Sequence, residues 1–135
     1  MKRQLFFSLL VVFTLGIFST DAQTKKATSD TKIEVYYFHS TRRCITCNAV
    51  ESVTKDAIAQ LYPTQVKSGQ ITFKSINLDE KGNEAILKKC QTEGQSLLFL
   101  AKNKRIDLTD KAFMYAKNSP NKLKAEVKKT IESLL

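Results

Sequence analysis

The chain has no tryptophan, a single histidine and only three cysteines among its 135 residues. It shows no internal repeat or low-complexity tract of the kind that marks a repeat protein. No glycine-rich turn joins a strand to a helix, so the usual pattern for binding a flavin or a nicotinamide dinucleotide is missing, and we predict no cofactor. The length leaves room for one domain and an additional segment at one end.

The full chain has a formal net charge of +9. A basic balance can indicate binding to nucleic acid or to an anionic membrane surface. Here the lysines are spread along the chain among acidic residues, and no run reaches the roughly five basic residues that mark a binding patch. The charge pattern therefore favours a solvated cationic surface, and we predict no nucleic-acid partner.

The N-terminus has the layout of a secretory signal peptide. Lys2 and Arg3 precede an apolar run over residues 5–18, and small residues follow as far as Ala22. This order of charge, apolar core and small residues predicts cleavage after Ala22. A retained membrane anchor is the alternative, but the apolar run is shorter than the roughly 20 residues that a spanning helix needs.

The sequence accordingly divides into three parts. Residues 1–22 are the predicted signal peptide, and the polar, lysine-bearing residues 23–31 are a predicted flexible linker. Residues 32–135 form the predicted domain. After cleavage we expect an exported, periplasmic or extracellular protein that is not integral to the membrane, and we expect a monomer.

Hydrophobic periodicity predicts the order β-α-β-α-β-β-α within this domain. The predicted strands cover residues 32–39, 71–78, 96–101 and 105–108, and the predicted helices run from the cysteine motif to Tyr62-Pro63, from Asn83, and from Ser119-Pro120. A strand-helix-strand start implies a parallel pair, and the later hairpin adds antiparallel strands. We therefore predict an α/β fold with a central mixed β-sheet flanked by helices on both faces.

Cys44 and Cys47 form a CxxC motif between the first predicted strand and the first predicted helix. A cysteine at a helix N-terminus faces unpaired amide groups and the positive end of the helix dipole, both of which stabilise a thiolate. Arg42 and Arg43 add positive charge just before it. We therefore predict that Cys44 is the nucleophile and that Cys47, about one turn further along, is the resolving thiol.

Three interpretations of this motif stay open on the residues alone: a redox-active pair, a structural disulfide, and a metal or cluster site. Zinc normally takes four ligands, and only Cys90 and His39 could join Cys44 and Cys47. The metal alternative uses Cys44, Cys47 and Cys90; otherwise Cys90 is a small buried hydrophobe. His39 either tunes the thiolate or carries a proton, or it is a surface residue at a strand end.

A CxxC motif at the start of the first helix of a β-α-β-α-β-β-α chain resembles the thioredoxin fold, and the resemblance covers nearly all of residues 32–135. The stretches ITFKSINLDE, SLLFLAKNKR and SPNKLKAEV look like the second core strand, the strand and hairpin, and the last helix of thioredoxins. This resemblance implies a thioredoxin-like fold and a role in thiol–disulfide exchange.

Within that superfamily, the stretch HSTRRCITC is similar to exported thioredoxin-like proteins described as nitrophenyl-compound nitroreductase subunits. The chain itself has no flavin or nicotinamide motif. Any nitro chemistry would therefore have to come from a partner.

The chain departs from the thioredoxin pattern in the loop before the third predicted strand. Thioredoxins usually carry a cis-proline there that grips the substrate, whereas this chain has Gln95 followed by Ser96, the predicted substrate loop. Because a non-proline cis bond costs about 2.5–4 kcal/mol, we predict a trans peptide before Gln95. The buried acid of many thioredoxins also has no counterpart, since Tyr36 or Tyr37 lies near its place. Glu51 or a water would have to act as the base.

The sequence thus predicts an exported thiol–disulfide oxidoreductase that exchanges disulfides with the thiols or disulfides of an exported or membrane redox partner. Two alternatives remain: a binding subunit that holds a metal or cluster through the same cysteines, and an inert domain with a structural disulfide.

Overall fold

A computed structural model describes residues 30–135 of the chain. The predicted signal peptide and nearly all of the predicted linker lie outside the described residues. Thr31, the last residue of that linker, is buried, and its carbonyl accepts a hydrogen bond from the Gln70 side chain at 3.3 Å. Thr31 therefore makes a tertiary contact one residue before the predicted start of the domain at Lys32.

Four strands and five helices make up the described part of the chain. They are β1 (Ile33–His39), α1 (Ile45–Leu61), α2 (Pro63–Lys67), β2 (Ile71–Asn77), α3 (Glu84–Cys90), β3 (Ser96–Ala101), β4 (Lys104–Asp107), α4 (Thr109–Tyr115) and α5 (Pro120–Leu134). All seven predicted elements are present, and α2 and α4 are additional.

The sheet has the strand order β2-β1-β3-β4. β1 runs parallel to β2, whereas the pairs β1–β3 and β3–β4 are antiparallel. A parallel pair needs a crossover connection, which α1 and α2 supply. The predicted α/β fold with a mixed sheet flanked by helices is confirmed.

The two faces of the sheet carry two separate cores. Side chains alternate between the faces along a strand, and in β1 both sets are buried, which explains its nearly continuous apolar sequence. One face packs against α1, α4 and α5, with Val35, Tyr37 and Phe99 in its core. The other packs against α3, with Tyr36 and Phe38 in its core.

The long helices bury the stripes that their sequences indicate. In α5, Leu123, Val127, Ile131 and Leu134 are buried, as the helical spacing predicts. None of the helices within residues 30–135 is both long and apolar enough to cross a membrane.

The first helix ends where predicted, but a second, short helix follows it directly. α1 ends at Leu61, and Tyr62 leaves the helical region with φ −132° and ψ 47°. Pro63 then opens the short helix α2 instead of leading into a loop. Proline suits the first position of a helix, because the amide hydrogen it lacks would have no intrahelical partner there.

The prediction of the last strand was one residue out of place. β4 is Lys104–Asp107, not residues 105–108, because Leu108 has already turned inward, with 4% exposure and its N–H bonded to the Leu97 carbonyl at 2.9 Å. Leu108 instead precedes α4. The loop before β3 therefore lies beside the start of α4, at the end of the sheet where β1 leads into α1.

The two predicted cap residues lie at the predicted helix starts, but their side chains do not cap the helices. Asn83 and Ser119 directly precede α3 and α5, yet neither side chain bonds to a first-turn amide. The Asn83 amide instead donates to the carbonyls of Asn77 and Glu80, at 2.7 and 3.1 Å. It therefore stabilises the loop after β2 more than the helix.

Candidate active site

The cysteine pair lies at the start of α1, at the end of the sheet where β1 finishes. Cys44 is the N-cap residue, with extended backbone angles, and its Sγ accepts a hydrogen bond from the Cys47 N–H at 3.1 Å. Its carbonyl accepts from the Asn48 N–H at 3.1 Å, which is the first bond of the helix. The local geometry is therefore that of a capped helix, with sulfur in place of the usual oxygen.

Cys44 and Cys47 form a disulfide, with their Cα atoms 5.0 Å apart. The two residues differ in access to solvent: Cys44 is exposed, whereas Cys47 is 5% exposed. Ile45, between them, is 73% exposed. An incoming thiolate can therefore reach Cys44 from solvent, while Cys47 is shielded by the protein.

Tyr37 contacts the cysteine pair through a hydrogen bond to the backbone of Cys47. It points to the same face of the sheet as His39, since the two are separated by two positions of β1. Its hydroxyl donates a hydrogen bond to the Cys47 carbonyl at 3.0 Å. Burial raises the pKa of Tyr37 above its usual value, so the hydroxyl is protonated and able to donate.

A polar cluster surrounds Arg43, the residue before the pair. Its guanidinium forms an ion pair with Glu51 of α1, contacts the His39 ring, and donates to Ser75 Oγ of β2 at 3.2 Å. The side chains of Arg43 and Glu51 are each 24% exposed. Arg43 thereby joins three elements, and its positive charge is balanced by Glu51.

His39 lies between a backbone carbonyl and the Arg43 guanidinium. Its Nδ1 is 2.9 Å from the Ser40 carbonyl oxygen and 3.1 Å from Arg43 Nε, which is a donor. Its Nε2 also contacts the Arg43 guanidinium. His39 is 7% exposed, which overturns the alternative of a surface residue. Its predicted tuning role stays a prediction.

The remaining predicted site residues lie around the same end of the sheet. Arg42 is exposed, and Gln95 is exposed in the loop before β3. Burial raises the pKa of the Tyr37 phenol, and the nearby Gln95 side chain lowers it. Ser96 is buried, and its hydroxyl donates to the Gly94 carbonyl at 3.1 Å. Every peptide bond in the described part of the chain is trans, including the one before Gln95.

Cys90 does not join the other two cysteines. It is a free, fully buried thiol in the core that packs against α3, on the opposite face of the sheet from Tyr37. Burial raises the pKa of Cys90, which keeps the thiol protonated. Within residues 30–135, no three cysteine, histidine or acidic residues are grouped as a metal site would need. The predicted set Cys44, Cys47 and Cys90 is thus not brought together.

Sequence reasoning missed two residues of this site. Tyr37 was predicted as a strand and core residue near the place of the thioredoxin acid, with no contact to the cysteines, and Ser75 was not singled out. Tyr37 could have been placed on the same face of the sheet as His39, because the two residues are two positions apart in a strand. Ser75 could be placed only once the parallel register of β1 and β2 was known, because that register sets it opposite Tyr37.

The fold and the site define an α/β protein with a four-stranded mixed sheet and a CxxC disulfide at the start of its first helix. A comparison of the chain with family models, with curated proteins and with solved structures finds no match. The functional argument therefore rests on the geometry of the site.

Proposed function

We propose that the protein is an exported, thioredoxin-like thiol–disulfide oxidoreductase in which Cys44 is the nucleophile and Cys47 the resolving thiol. The observation that carries this proposal is the disulfide at the start of α1, with one exposed and one buried member. A staple that served stability alone would gain nothing from exposing one member, whereas exchange with a partner requires an accessible sulfur.

The topology of the sheet supports the thioredoxin-like assignment. The resemblance implies a mixed sheet with a CxxC motif at the start of the first helix, and β1 and β2 are parallel while β3 and β4 form an antiparallel hairpin. The N-terminal pattern of charge, apolar run and small residues supports export, into a compartment where disulfides persist. The partner is then an exported or membrane protein that carries a disulfide or a pair of thiols.

The exchange proceeds in two steps. In the reduced protein, the Cys44 thiolate attacks one sulfur of the partner's disulfide, and the other partner sulfur leaves as a thiolate. Cys47 then loses its proton to solvent and attacks Cys44 Sγ, which releases the second partner sulfur as a thiolate. The pair gives up two electrons, and the partner disulfide becomes two thiols. The reverse sequence oxidises a partner.

The helix start explains why Cys44 is the better nucleophile. Its Sγ already accepts a hydrogen bond from a first-turn amide, and the same amide would stabilise a thiolate. The positive end of α1 adds to this effect. Cys47 lies within the first turn and is shielded, so its role is limited to attack on Cys44.

The proposal is tested by redox titration of the purified protein in glutathione buffers, with alkylation and mass analysis of the thiols. We expect a reversible two-electron couple with a potential above about −300 mV, the upper bound typical of structural disulfides in secreted proteins. Cys47→Ser should accumulate a mixed disulfide through Cys44, and Cys44→Ser should lose exchange. Cys90→Ala is the matched control and should exchange as the wild type does.

Two results would overturn the proposal. One is a potential below that bound or no reversible couple, which would indicate a structural disulfide. The other is a Cys44→Ser protein that exchanges at the wild-type rate.

A further inference from the structure

Tyr37 contacts the backbone of the inner cysteine, Cys47. Its side chain is fully buried, and its hydroxyl donates to the Cys47 carbonyl at 3.0 Å. Burial raises the pKa of this phenol, and the nearby Gln95 side chain lowers it. The Tyr37 hydroxyl is therefore close to an exposed loop residue as well as to the backbone of Cys47.

Two contacts hold the peptide groups of Cys47 in place from outside the helix ladder. Its N–H donates to Cys44 Sγ at 3.1 Å, and its carbonyl accepts from Tyr37. The first contact uses the sulfur that changes partners during exchange. The second involves neither sulfur, so it persists when Cys44 is bonded to a partner.

We infer that Tyr37 is a positioning residue, which holds Cys47 in the orientation from which its thiolate attacks the disulfide between Cys44 and a partner. This inference rests on the proposed function. In that step Cys47 loses its proton to solvent, a bond forms between the two cysteine sulfurs, and the partner sulfur leaves as a thiolate. Tyr37 neither gains nor loses a proton.

The position of Cys47 matters because resolution is an intramolecular attack. The rate of such a step depends on how well the reacting atoms are aligned beforehand. Attack by Cys44 on a partner does not depend on Cys47 in this way. A positioning residue for Cys47 should therefore affect the second step of exchange and leave the first step unchanged.

Tyr37→Phe tests this inference in the full chain, because it removes the hydroxyl and keeps the ring in the core. The probe is oxidised glutathione, and rapid acid quenching followed by alkylation measures formation and decay of the glutathionylated protein. We expect Tyr37→Phe to slow resolution about fivefold, the effect of losing one neutral hydrogen bond from the transition state, and to leave the rate of attack within about twofold.

Tyr62→Phe is the matched control. Tyr62 is also buried, and its hydroxyl also donates to a backbone carbonyl, that of Lys128 at 3.4 Å, but it lies at the other end of α1 from the cysteines. A general loss of stability would therefore appear in both variants. We expect Tyr62→Phe to change neither rate.

Gln95→Ala supplies a second, independent variant at an exposed position. It should slow resolution about twofold, and it should have no further effect in the Tyr37→Phe background if Gln95 acts through the phenol. If Tyr37→Phe does not fold, the resolution rate of Gln95→Ala tests the inference instead. A rate equal to that of the wild type overturns it.

The inference is also overturned if folded Tyr37→Phe resolves the mixed disulfide at the wild-type rate, if it slows both steps equally, or if Tyr62→Phe behaves in the same way. In each of these cases the wild-type protein still exchanges disulfides, so the proposed function stands. A wild-type protein that forms no mixed disulfide with glutathione overturns the proposed function itself, and this inference with it.

Discussion

The guanidinium of Arg43, the residue immediately before the cysteine pair, forms an ion pair with the carboxylate of Glu51 in the second turn of α1. Arg43 therefore brings little net charge to the site while Glu51 is ionised. The sequence alone suggested that its positive charge would act on Cys44 directly. In the structure, Glu51 sets how much of that charge the cysteines experience.

Glu51→Gln should make the cysteine pair more oxidising. Without the carboxylate, the Arg43 charge is unbalanced and stabilises the thiolate of the reduced form. We expect the potential to rise by on the order of 10–30 mV, as for a screened charge near the protein surface. Glu34→Gln is the control, because Glu34 is a similarly shielded partner of Lys89 at the opposite end of β1. An unchanged or lower potential would contradict this expectation.

Thr54→Val should stabilise the protein. Thr54 is a fully buried residue of α1, and within the described part of the chain its hydroxyl has no hydrogen-bond partner. Valine has nearly the same shape without the buried polar group, so we expect the free energy of unfolding to rise by about 1 kcal/mol in a urea titration. Thr54→Ser keeps the hydroxyl and removes the methyl group, and it should lower the free energy of unfolding.

Gln91→Gly should also stabilise the fold. Gln91 ends α3 in the left-handed region, with φ 52° and ψ 50°, where a side chain is strained and glycine is not. Allowing for the greater freedom of glycine in the unfolded chain, we expect a gain of about 0.5–1 kcal/mol in the free energy of unfolding. Lys88→Gly, inside the same helix, should instead cost about 1 kcal/mol. Equal losses in both variants would contradict the role given to the left-handed conformation.

The pair of Glu34 and Lys89 should stabilise the protein at intermediate pH and lose this contribution at both ends of the pH scale. The hydrogen bond from Lys89 lowers the pKa of Glu34, and the bond to Glu34 raises the pKa of Lys89. The Glu34 contribution is therefore present above its unfolded pKa of 4.5 and is lost as pH falls through the lower folded value. The Lys89 contribution is present below 10.5 and is lost as pH rises through the higher folded value.

Glu34→Gln should flatten both limbs of the stability–pH profile. The side chain of Lys89 is 48% exposed, so the pair contributes less than about 1 kcal/mol at neutral pH. Thermal unfolding between about pH 3 and about pH 12, which is roughly 1.5 pH units beyond each unfolded pKa, measures the change. A variant whose acid limb is as steep as that of the wild type would contradict this assignment.

Much of the fold follows from local sequence signals. The β-branched and aromatic run of β1 covers 7 residues and the apolar stripe of α5 covers 15, and both elements lie where those patterns indicate. α4 has only 7 residues, which is too short for a helical period to stand out. α2 was missed because Pro63 was interpreted as a stop signal, whereas proline also starts helices.

The candidate site was predictable only in part. Cys44 and Cys47 lie three residues apart at the start of α1, so local reasoning found them. The contacts of Arg43 come from α1 and β2 as well as β1, and their choice depends on the sheet register. No local pattern could show that Glu51 balances Arg43 or that Gln95 reaches Tyr37.

Cys90 gives the oxidised protein an internal probe of local opening. The other two cysteines are then joined, so this buried residue is the only one of the chain's three that can react with a thiol reagent. It can be labelled only when α3 separates from the sheet, because its side chain is 0% exposed in the closed form. Its labelling rate, compared with that of the unfolded chain, measures the free energy of that separation without any added reporter group.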